Sequence, residues 1–254
     1  MTKSTTDLHW NERALAEKDA RAVNIADVSQ RELETQFVLQ QLPAAARVLE
    51  VGCGNGFLTD ILRARAKHVD AFDYAENMVS EARRLYGETN NRFFHDNVLA
   101  PRNLAGPYDA IVCVRVLINL RDLGEQATAV RNLAAQLRRG GTLILIEGYS
   151  DGFAALNELR RKCGIDPLRP AAINFYASVA ELMPVLQESF EIKGEFHSGA
   201  FDYLTRVVYP LLVGADKATG HADFHRRILP AAKAFNPAAF EPLARLRGFS
   251  LARR

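Results

Sequence analysis

The sequence predicts an α/β protein built on a doubly wound, mostly parallel sheet. Residues 48–51 form a short apolar segment that runs into glycines at positions 52, 54 and 56, and helical periodicity follows. Two further apolar segments end in acids, Asp73 and Asp96. Because open parallel sheets bind ligands at the carboxyl ends of their strands, we expect these groups to meet in one crevice.

Composition limits the class of protein. A chain of 254 residues with 48% hydrophobic content can bury a full core as one large domain or as one domain with a cap. The net charge of +2 gives no global field of the strength that nucleic-acid binders carry. No apolar run reaches membrane-spanning length, and residues 1–7 lack the apolar core of a signal peptide.

The three cysteines, Cys53, Cys113 and Cys163, are widely spaced and form no CxxC pair. This pattern argues against a disulfide framework and against a zinc site. We therefore expect a cytoplasmic protein with no bound metal and no membrane partner.

The N-terminal segment predicts two helices, over residues 9–20 and 29–42. In the second helix, Leu33, Phe37 and Val38 fall near one face, and Ser29 with Glu32 has the spacing of a capping box. Both helices precede the first strand of the sheet.

The glycine turn places Gly52, Gly54 and Gly56 where backbone amides at a helix N-terminus can approach a polar ligand. A dinucleotide fingerprint would need its third glycine at position 57, which is Phe57. A nicotinamide dehydrogenase shares the strand, the glycine turn and the acid that follows, and it stays an alternative although the third fingerprint glycine is missing. Asp73 lies about twenty residues beyond the turn, where α/β nucleotide sites place the carboxylate that accepts hydrogen bonds from ribose.

The motif Glu50-x-Gly52-x-Gly54-x-Gly56 resembles the first motif of the class I S-adenosylmethionine-dependent methyltransferases. The strings at 73–78 and 137–143 also resemble motifs of that family, and the resemblance extends from about residue 42 to residue 147. It implies S-adenosylmethionine as the cofactor, with Tyr74 beside the adenine ring and Asp96 accepting from the adenine amine. The implied cofactor-binding residues are Glu50, Gly52, Gly54, Gly56, Asp73, Tyr74, Asp96, Asn97, Val98 and Val114.

The resemblance also implies a topology of seven strands, of which the last is antiparallel. After strands at 108–114 and 142–147, with a helix over 124–138 between them, it implies a sixth strand at 190–196 and a seventh near 203–211. The expected domains are an N-terminal helical lid over 1–42 and a methyltransferase domain over 43–212 with a substrate-side insertion at 148–177. A helical C-terminal extension over 213–254 completes the chain.

Candidate acceptor-binding residues lie in the lid, in the turn after the fourth strand and in the insertion. They are Trp10, Arg13, Arg115, Asn119, Tyr149, Asn157, Arg160, Asn174 and Tyr176. For Arg115, an ion pair with Asp109 or Glu50 is an equal alternative. The turn departs from the family pattern, because Ile118 and Asn119 replace two histidines. Candidate general bases are His197, His9 and Glu147, although an amine or an ionised acid would need none.

The predicted function is methyl transfer to a small polar or anionic acceptor, with oxygen favoured over nitrogen by the Asn157 and Arg160 helix face. One alternative is an RNA or protein methyltransferase, because basic residues and phenylalanines alternate from His221 onward. Another is a non-catalytic protein that only holds the cofactor. The expected partner is a small molecule rather than nucleic acid, and the protein is expected to be a monomer or a homodimer.

Overall fold

The computed structural model describes residues 5–16, 27–44, 46–219, 222–235 and 237–254. The strands are β1 (Arg47–Val51), β2 (His68–Asp73), β3 (Asn91–His95), β4 (Tyr108–Val114), β5 (Leu137–Gly148), β6 (Phe190–His197) and β7 (Leu246–Arg253). The helices are α1 (Thr5–Ala16), α2 (Val28–Gln41), α3 (Phe57–Leu62), α4 (Glu76–Tyr86), α5 (Leu123–Gln136), α6 (Ser150–Lys162), α7 (Val179–Gln187), α8 (Gly199–Tyr203), α9 (Tyr209–Val213), α10 (Asp223–Ala234) and α11 (Pro237–Phe240). A π-helical turn, Leu204–Val208, joins α8 to α9, and 3₁₀ turns cover Leu117–Asn119 and Glu241–Leu243.

The seven strands form one sheet in the order β3-β2-β1-β4-β5-β7-β6. Neighbouring strands from β3 to β5 pair in parallel, and β7 pairs antiparallel with both β5 and β6. The predicted fold class is therefore confirmed, including the antiparallel last strand. The sheet places the ends of β1, β2 and β4 along one edge.

The position of the last strand was predicted wrongly. Residues 203–211 are helical, and the seventh strand is β7 at the end of the chain. Its register sets Phe249 opposite Leu145 and Leu251 opposite Leu143, so the tail predicted as a helical extension instead completes the sheet. Gly248 permits this insertion, because an added Cβ would lie 2.9 Å from a ring carbon of Phe37.

Two apolar layers cover the faces of the sheet. Alternate residues of a strand point to opposite faces, so Leu49 contributes to one layer and Val48 to the other. Helices α5 and α7 pack on the first layer, whereas α2 and α4 pack on the second through residues such as Val38 and Val79. The packing of α2 on the sheet fixes the wall of the crevice described below.

Several helix ends differ from the predicted ones. Helix α1 begins earlier than expected, and residues 17–20 of that prediction lie outside the described part of the chain. The N-cap of α2 is Asp27, which accepts a hydrogen bond from the amide of Gln30, rather than Ser29. Helix α5 ends at Gln136 because Leu137 already pairs with Tyr108 in the sheet. Among the described helices, none combines the length and apolarity needed to cross a bilayer.

Candidate functional site

A cavity of about 460 Å³ opens at the carboxyl ends of β1, β2 and β4. Its lining includes residues of the glycine turn, the end of β2 and the segment 97–99. Residues of α1, α2, the turn after β4 and the segment 171–174 complete the wall. Its volume falls within the range of roughly 300 to 1,000 Å³ that accommodates drug-sized ligands.

The glycine turn is fastened to the end of β2 by Asp73. One carboxylate oxygen accepts from the amide of Gly54 at 2.7 Å, and the other accepts from the amide of Ala75 at 2.8 Å. Gly52 and Gly54 have φ angles of 67° and 54°, which residues with a side chain rarely adopt. Burial raises the pKa of Asp73. Both glycines and Asp73 line the cavity as predicted, and the carboxylate keeps acceptor positions for a ligand.

Glu50 and Gly56 support the turn in different ways. Glu50 is buried in the cavity wall and accepts from the hydroxyl of Thr59, and its burial raises its pKa to about 8. Gly56 does not line the cavity. A Cβ there would lie 2.9 Å from the ring of Phe93, so this glycine allows the turn to pack against that ring of β3.

The segment after β3 contributes to the cavity through the residues that follow Asp96. Asn97 and Val98 line the wall, as does Tyr74, whose ring stacks on His95 at 6.0 Å between centroids. Asp96 does not line it, and its carboxylate accepts from the amides of three residues, Asn97, Arg102 and Asn103. The predicted contact of Asp96 with adenine is therefore corrected, because its side chain instead closes the following loop.

The lid helix α1 reaches the turn after β4. The indole nitrogen of Trp10 donates to Asn119 Oδ1 at 3.2 Å, and the amide of Asn119 donates to the carbonyl of Arg115 at 2.9 Å. Trp10, Asn119 and His9 line the cavity as predicted, whereas Arg13 does not. A packed indole thus joins the lid to the site.

Arg115 stands immediately after β4, next to Val114, and both residues line the cavity. Its φ angle of 55° is unusual for a residue with a side chain. Its guanidinium Nε lies 3.5 Å from Glu34 Oε2, so its ionic partner is neither Asp109 nor Glu50.

Two of the three candidate bases lie outside the cavity lining. Glu147 accepts from the amides of Val116, Leu117 and Ile118 at 2.7 to 3.3 Å, which holds the turn after β4. Burial raises the pKa of Glu147 to about 8, a value that suits a base, but its carboxylate does not reach the cavity. His197 lines a separate groove between α2, β6 and α10. His9 is the candidate base that remains in the wall.

The insertion contributes less to the cavity than predicted. Asn157 binds the amide and carbonyl of Leu168, and Arg160 donates to the carbonyls of Asp166 and Arg206. The ring of Tyr149 packs in the core, and that of Tyr176 covers Gly148. These four predicted acceptor contacts are corrected, since all four residues serve the fold. Asn174 alone of the insertion candidates lines the cavity, and its amide donates to the hydroxyl of Tyr176 at 3.0 Å.

Replacement of Arg160 by alanine is therefore expected to lower stability and to leave ligand affinity intact. The backbone carbonyls of Asp166 and Arg206 lose a charged donor, which costs about 1 to 3 kcal/mol in the free energy of unfolding. Denaturant unfolding measures this loss, with Arg161→Ala on the exposed side of the same helix as the control. A change in ligand affinity without a change in stability would contradict this placement.

Helix α2 carries wall residues that sequence reasoning missed. Arg31, Glu34, Thr35 and Val38 all line the cavity, at the i, i+3, i+4 and i+7 spacing of one helix face. Arg31 is buried, with its guanidinium carbon 4.6 Å from the centroid of the Phe57 ring beside the glycine turn. The sequence signal for this part of the wall was a polar stripe beside the apolar face of the helix predicted over residues 29–42.

Two arginines and two phenylalanines of the basic C-terminal segment have partners in the fold. Arg245 pairs with Asp202 and Arg247 pairs with Glu241. Phe249 is buried in the sheet, and the ring of Phe224 stacks on Tyr209 at 4.6 Å. These contacts give the charge and the rings of this segment a role in packing.

Comparison with known proteins identifies the domain. Residues 48–141 match a family model described as a methyltransferase domain. A ubiquinone biosynthesis O-methyltransferase from Xylella fastidiosa is 32% identical over 43% of this chain and 45% of its own length. A second such enzyme, from Xanthomonas axonopodis, is 34% identical over 41% of this chain and 43% of its own length. The chain thus spans less than half the length of the curated relatives it matches.

The fold matches solved structures over nearly the whole chain. The N-methyltransferase NodS from Bradyrhizobium japonicum, in complex with S-adenosylhomocysteine, superposes with a TM-score of 0.62 at 18% identity over 99% of both chains. Magnesium protoporphyrin IX methyltransferase from Synechocystis superposes with a TM-score of 0.59 at 19% identity, over 98% of this chain and 95% of that one. The chain therefore has the fold of these methyltransferases, and its residues 48–141 form a methyltransferase domain.

Proposed function

We propose that this protein transfers a methyl group from S-adenosylmethionine to a hydroxyl group of a small acceptor. The observation that carries the proposal is the convergence of the glycine turn, Asp73 and Asn97 at one side of a single cavity. Arg115, Asn119 and residues of helix α1 line the same cavity. The O-methyltransferases to which the domain is similar support oxygen as the methylated atom.

The residues on the glycine side fit the cofactor by their chemistry. Asp73 offers carboxylate acceptor positions for the two ribose hydroxyls, since a diol supplies two donors. Tyr74 and Val98 provide surfaces for the adenine ring, and Asn97 provides polar groups. Arg31 supplies a buried cation beside the glycine turn for the carboxylate at the other end of the cofactor.

The cofactor supplies a methyl group on a positively charged sulfur that is already activated for displacement. The chain must therefore align the acceptor and exclude water. Alignment of two reactants contributes roughly 7 to 11 kcal/mol, whereas a general base typically adds about 10² to 10⁴ in rate. The Trp10 contact with Asn119 joins helix α1 to the turn after β4 and supports this alignment.

The proposal is tested by binding and by transfer. Isothermal titration calorimetry should detect S-adenosylhomocysteine binding to the purified protein and no NADH binding. Radiolabelled methyl transfer into a small-molecule extract of the host cell should then give a labelled product. Binding of the cofactor product without transfer into any extract would favour the non-catalytic alternative, and absence of binding would overturn the proposal.

Arg31→Ala is expected to weaken S-adenosylhomocysteine binding by about 10- to 100-fold, because a hydrogen bond to a charged group is worth about 1.5 to 3 kcal/mol. Methylthioadenosine, which lacks the carboxylate, should bind the variant and the native protein equally. Arg131→Ala, at a surface pair with Glu188, is the control. Equal weakening of both ligands would assign Arg31 to the shape of the cavity rather than to the carboxylate.

A further inference from the structure

Glu34 is a buried carboxylate in the wall of the cavity, only 3% exposed. Its Oε1 accepts from the side-chain amide of Gln30 at 3.1 Å, and its Oε2 lies 3.5 Å from Arg115 Nε. A carboxylate offers about four acceptor positions, so these two partners leave positions for a ligand. Burial of such a group is costly, which makes its presence at a cavity wall informative.

A network of polar contacts on the far side of Glu34 from the cavity holds its side chain in place. The oxygen of the Gln30 amide accepts from Arg245 Nη2 at 3.1 Å. The guanidinium and backbone amide of Arg245 both bind Asp202, which is fully buried and also accepts from Ser198. This network fixes the orientation of the Gln30 side-chain amide, which in turn orients the Glu34 carboxylate.

The other acidic groups of the wall, Asp73, Glu50, Asp7 and Glu125, each have a structural partner, and that of Glu125 is the guanidinium of Arg121. Asp73 fastens the glycine turn, and Glu50 accepts from Thr59 beneath it. Asp7 accepts from the side chain of Asn11 at 2.7 Å. Glu34 instead stands on helix α2, beside the guanidinium of Arg115 that follows β4.

We propose that Glu34 is the proton acceptor for the acceptor's hydroxyl and that Gln30 and Arg245 position it. This inference rests on the proposed function. The acceptor's O–H proton passes to a Glu34 carboxylate oxygen while the hydroxyl oxygen bonds to the methyl carbon. The carbon–sulfur bond breaks, and its electron pair stays on the sulfur, which loses its positive charge. Arg115 stabilises the negative charge that develops on the oxygen.

The primary test uses 4-nitrocatechol, a phenol whose visible absorption changes when its hydroxyl ionises. Bound to the native protein loaded with S-adenosylhomocysteine, it should show the ionised band at a lower pH than in free solution. In Glu34→Gln, the band should appear at a higher pH than in the native complex. Glu32→Gln, on an exposed part of the same helix, is the matched control and should behave as the native protein.

Kinetics with an identified acceptor provide the second readout. Glu34→Gln should lower kcat by about 10² to 10⁴, the usual contribution of a general base. Gln30→Met keeps the length of the side chain and removes its amide, and it should lower kcat about tenfold or more through misplacement of Glu34. Both variants should bind S-adenosylhomocysteine within twofold of the native protein.

Three outcomes would overturn this inference: an unchanged 4-nitrocatechol spectrum in Glu34→Gln, a failure of the native complex to bind 4-nitrocatechol, or native kcat in Glu34→Gln. Parallel loss of S-adenosylhomocysteine binding in that variant would also overturn it, because it would assign Glu34 to the packing of the lid. Failure of the proposed function has a different signature, namely that the native protein itself does not bind S-adenosylhomocysteine.

Discussion

Asp73→Ala is expected to weaken binding of S-adenosylhomocysteine by about 1 to 3 kcal/mol, the cost of leaving the ligand's donors without their partner. The native carboxylate accepts from the amides of Gly54 and Ala75, so the change also loosens the glycine turn. Calorimetry measures the loss of affinity. Asp60→Ala, at a surface pair with Arg63 outside the cavity lining, removes the same charge and should bind normally.

A second ligand separates the contact with ribose from the support of the turn. The 2′-deoxy analogue of S-adenosylhomocysteine removes one donor from the ligand while the protein stays intact. Native protein should bind the deoxy ligand more weakly than the parent, and Asp73→Ala should bind the two equally, as a double-mutant cycle requires of a direct contact. If the variant still discriminates between the two ligands, Asp73 acts through the turn alone.

The position of the glycine turn beside Asp73 was predictable because its signals are local in sequence. Glycines at alternate positions after an apolar run demand a tight turn, and Asp73 follows at the end of the next strand. The parallel sheet then brings both to one edge without any further information. The predicted contact of Asp96 with adenine rested on the same reasoning and was wrong. Its carboxylate instead accepts hydrogen bonds from three amides of its own loop.

The part of the cavity wall that Glu34 and Arg115 form was not predictable in the same way, because it depends on contacts between distant segments. Arg115 is joined to Glu34, and Gln30 to Arg245, only after α2 packs on the sheet. The helix face of Asn157 and Arg160 has the composition of a ligand-binding surface, yet backbone carbonyls and amides of the fold satisfy both side chains. Composition alone cannot tell which partner a polar side chain will meet.

The last strand was misplaced for a related reason. The run 207–213 is the more apolar segment, whereas β7 carries Arg247, Gly248 and Ser250. In the sheet, Gly248 and Ser250 are small enough to sit between β5 and β6, and Phe249 supplies the buried ring. A strand inserted between two others can be recognised from its partners more readily than from its own hydrophobicity.

Glu147 provides the largest expected effect on stability. Its carboxylate accepts from three consecutive amides, those of Val116, Leu117 and Ile118, and is almost fully buried. Glu147→Leu fills similar space but leaves these donors without acceptors, at about 1 to 3 kcal/mol for each buried group. The free energy of unfolding should therefore fall by about 3 kcal/mol or more, as measured by denaturant titration.

The same substitution should also disable the site, because the turn that Glu147 holds carries Arg115 and Asn119 to the cavity wall. Glu191→Leu is the matched control, because Glu191 pairs with Lys193 on the surface of β6. It should leave the free energy of unfolding unchanged. Equal stability of Glu147→Leu and the control would mean that water or a rearranged turn satisfies the three amides. Only a large difference between the two agrees with a carboxylate that positions the turn rather than one that takes part in the chemistry.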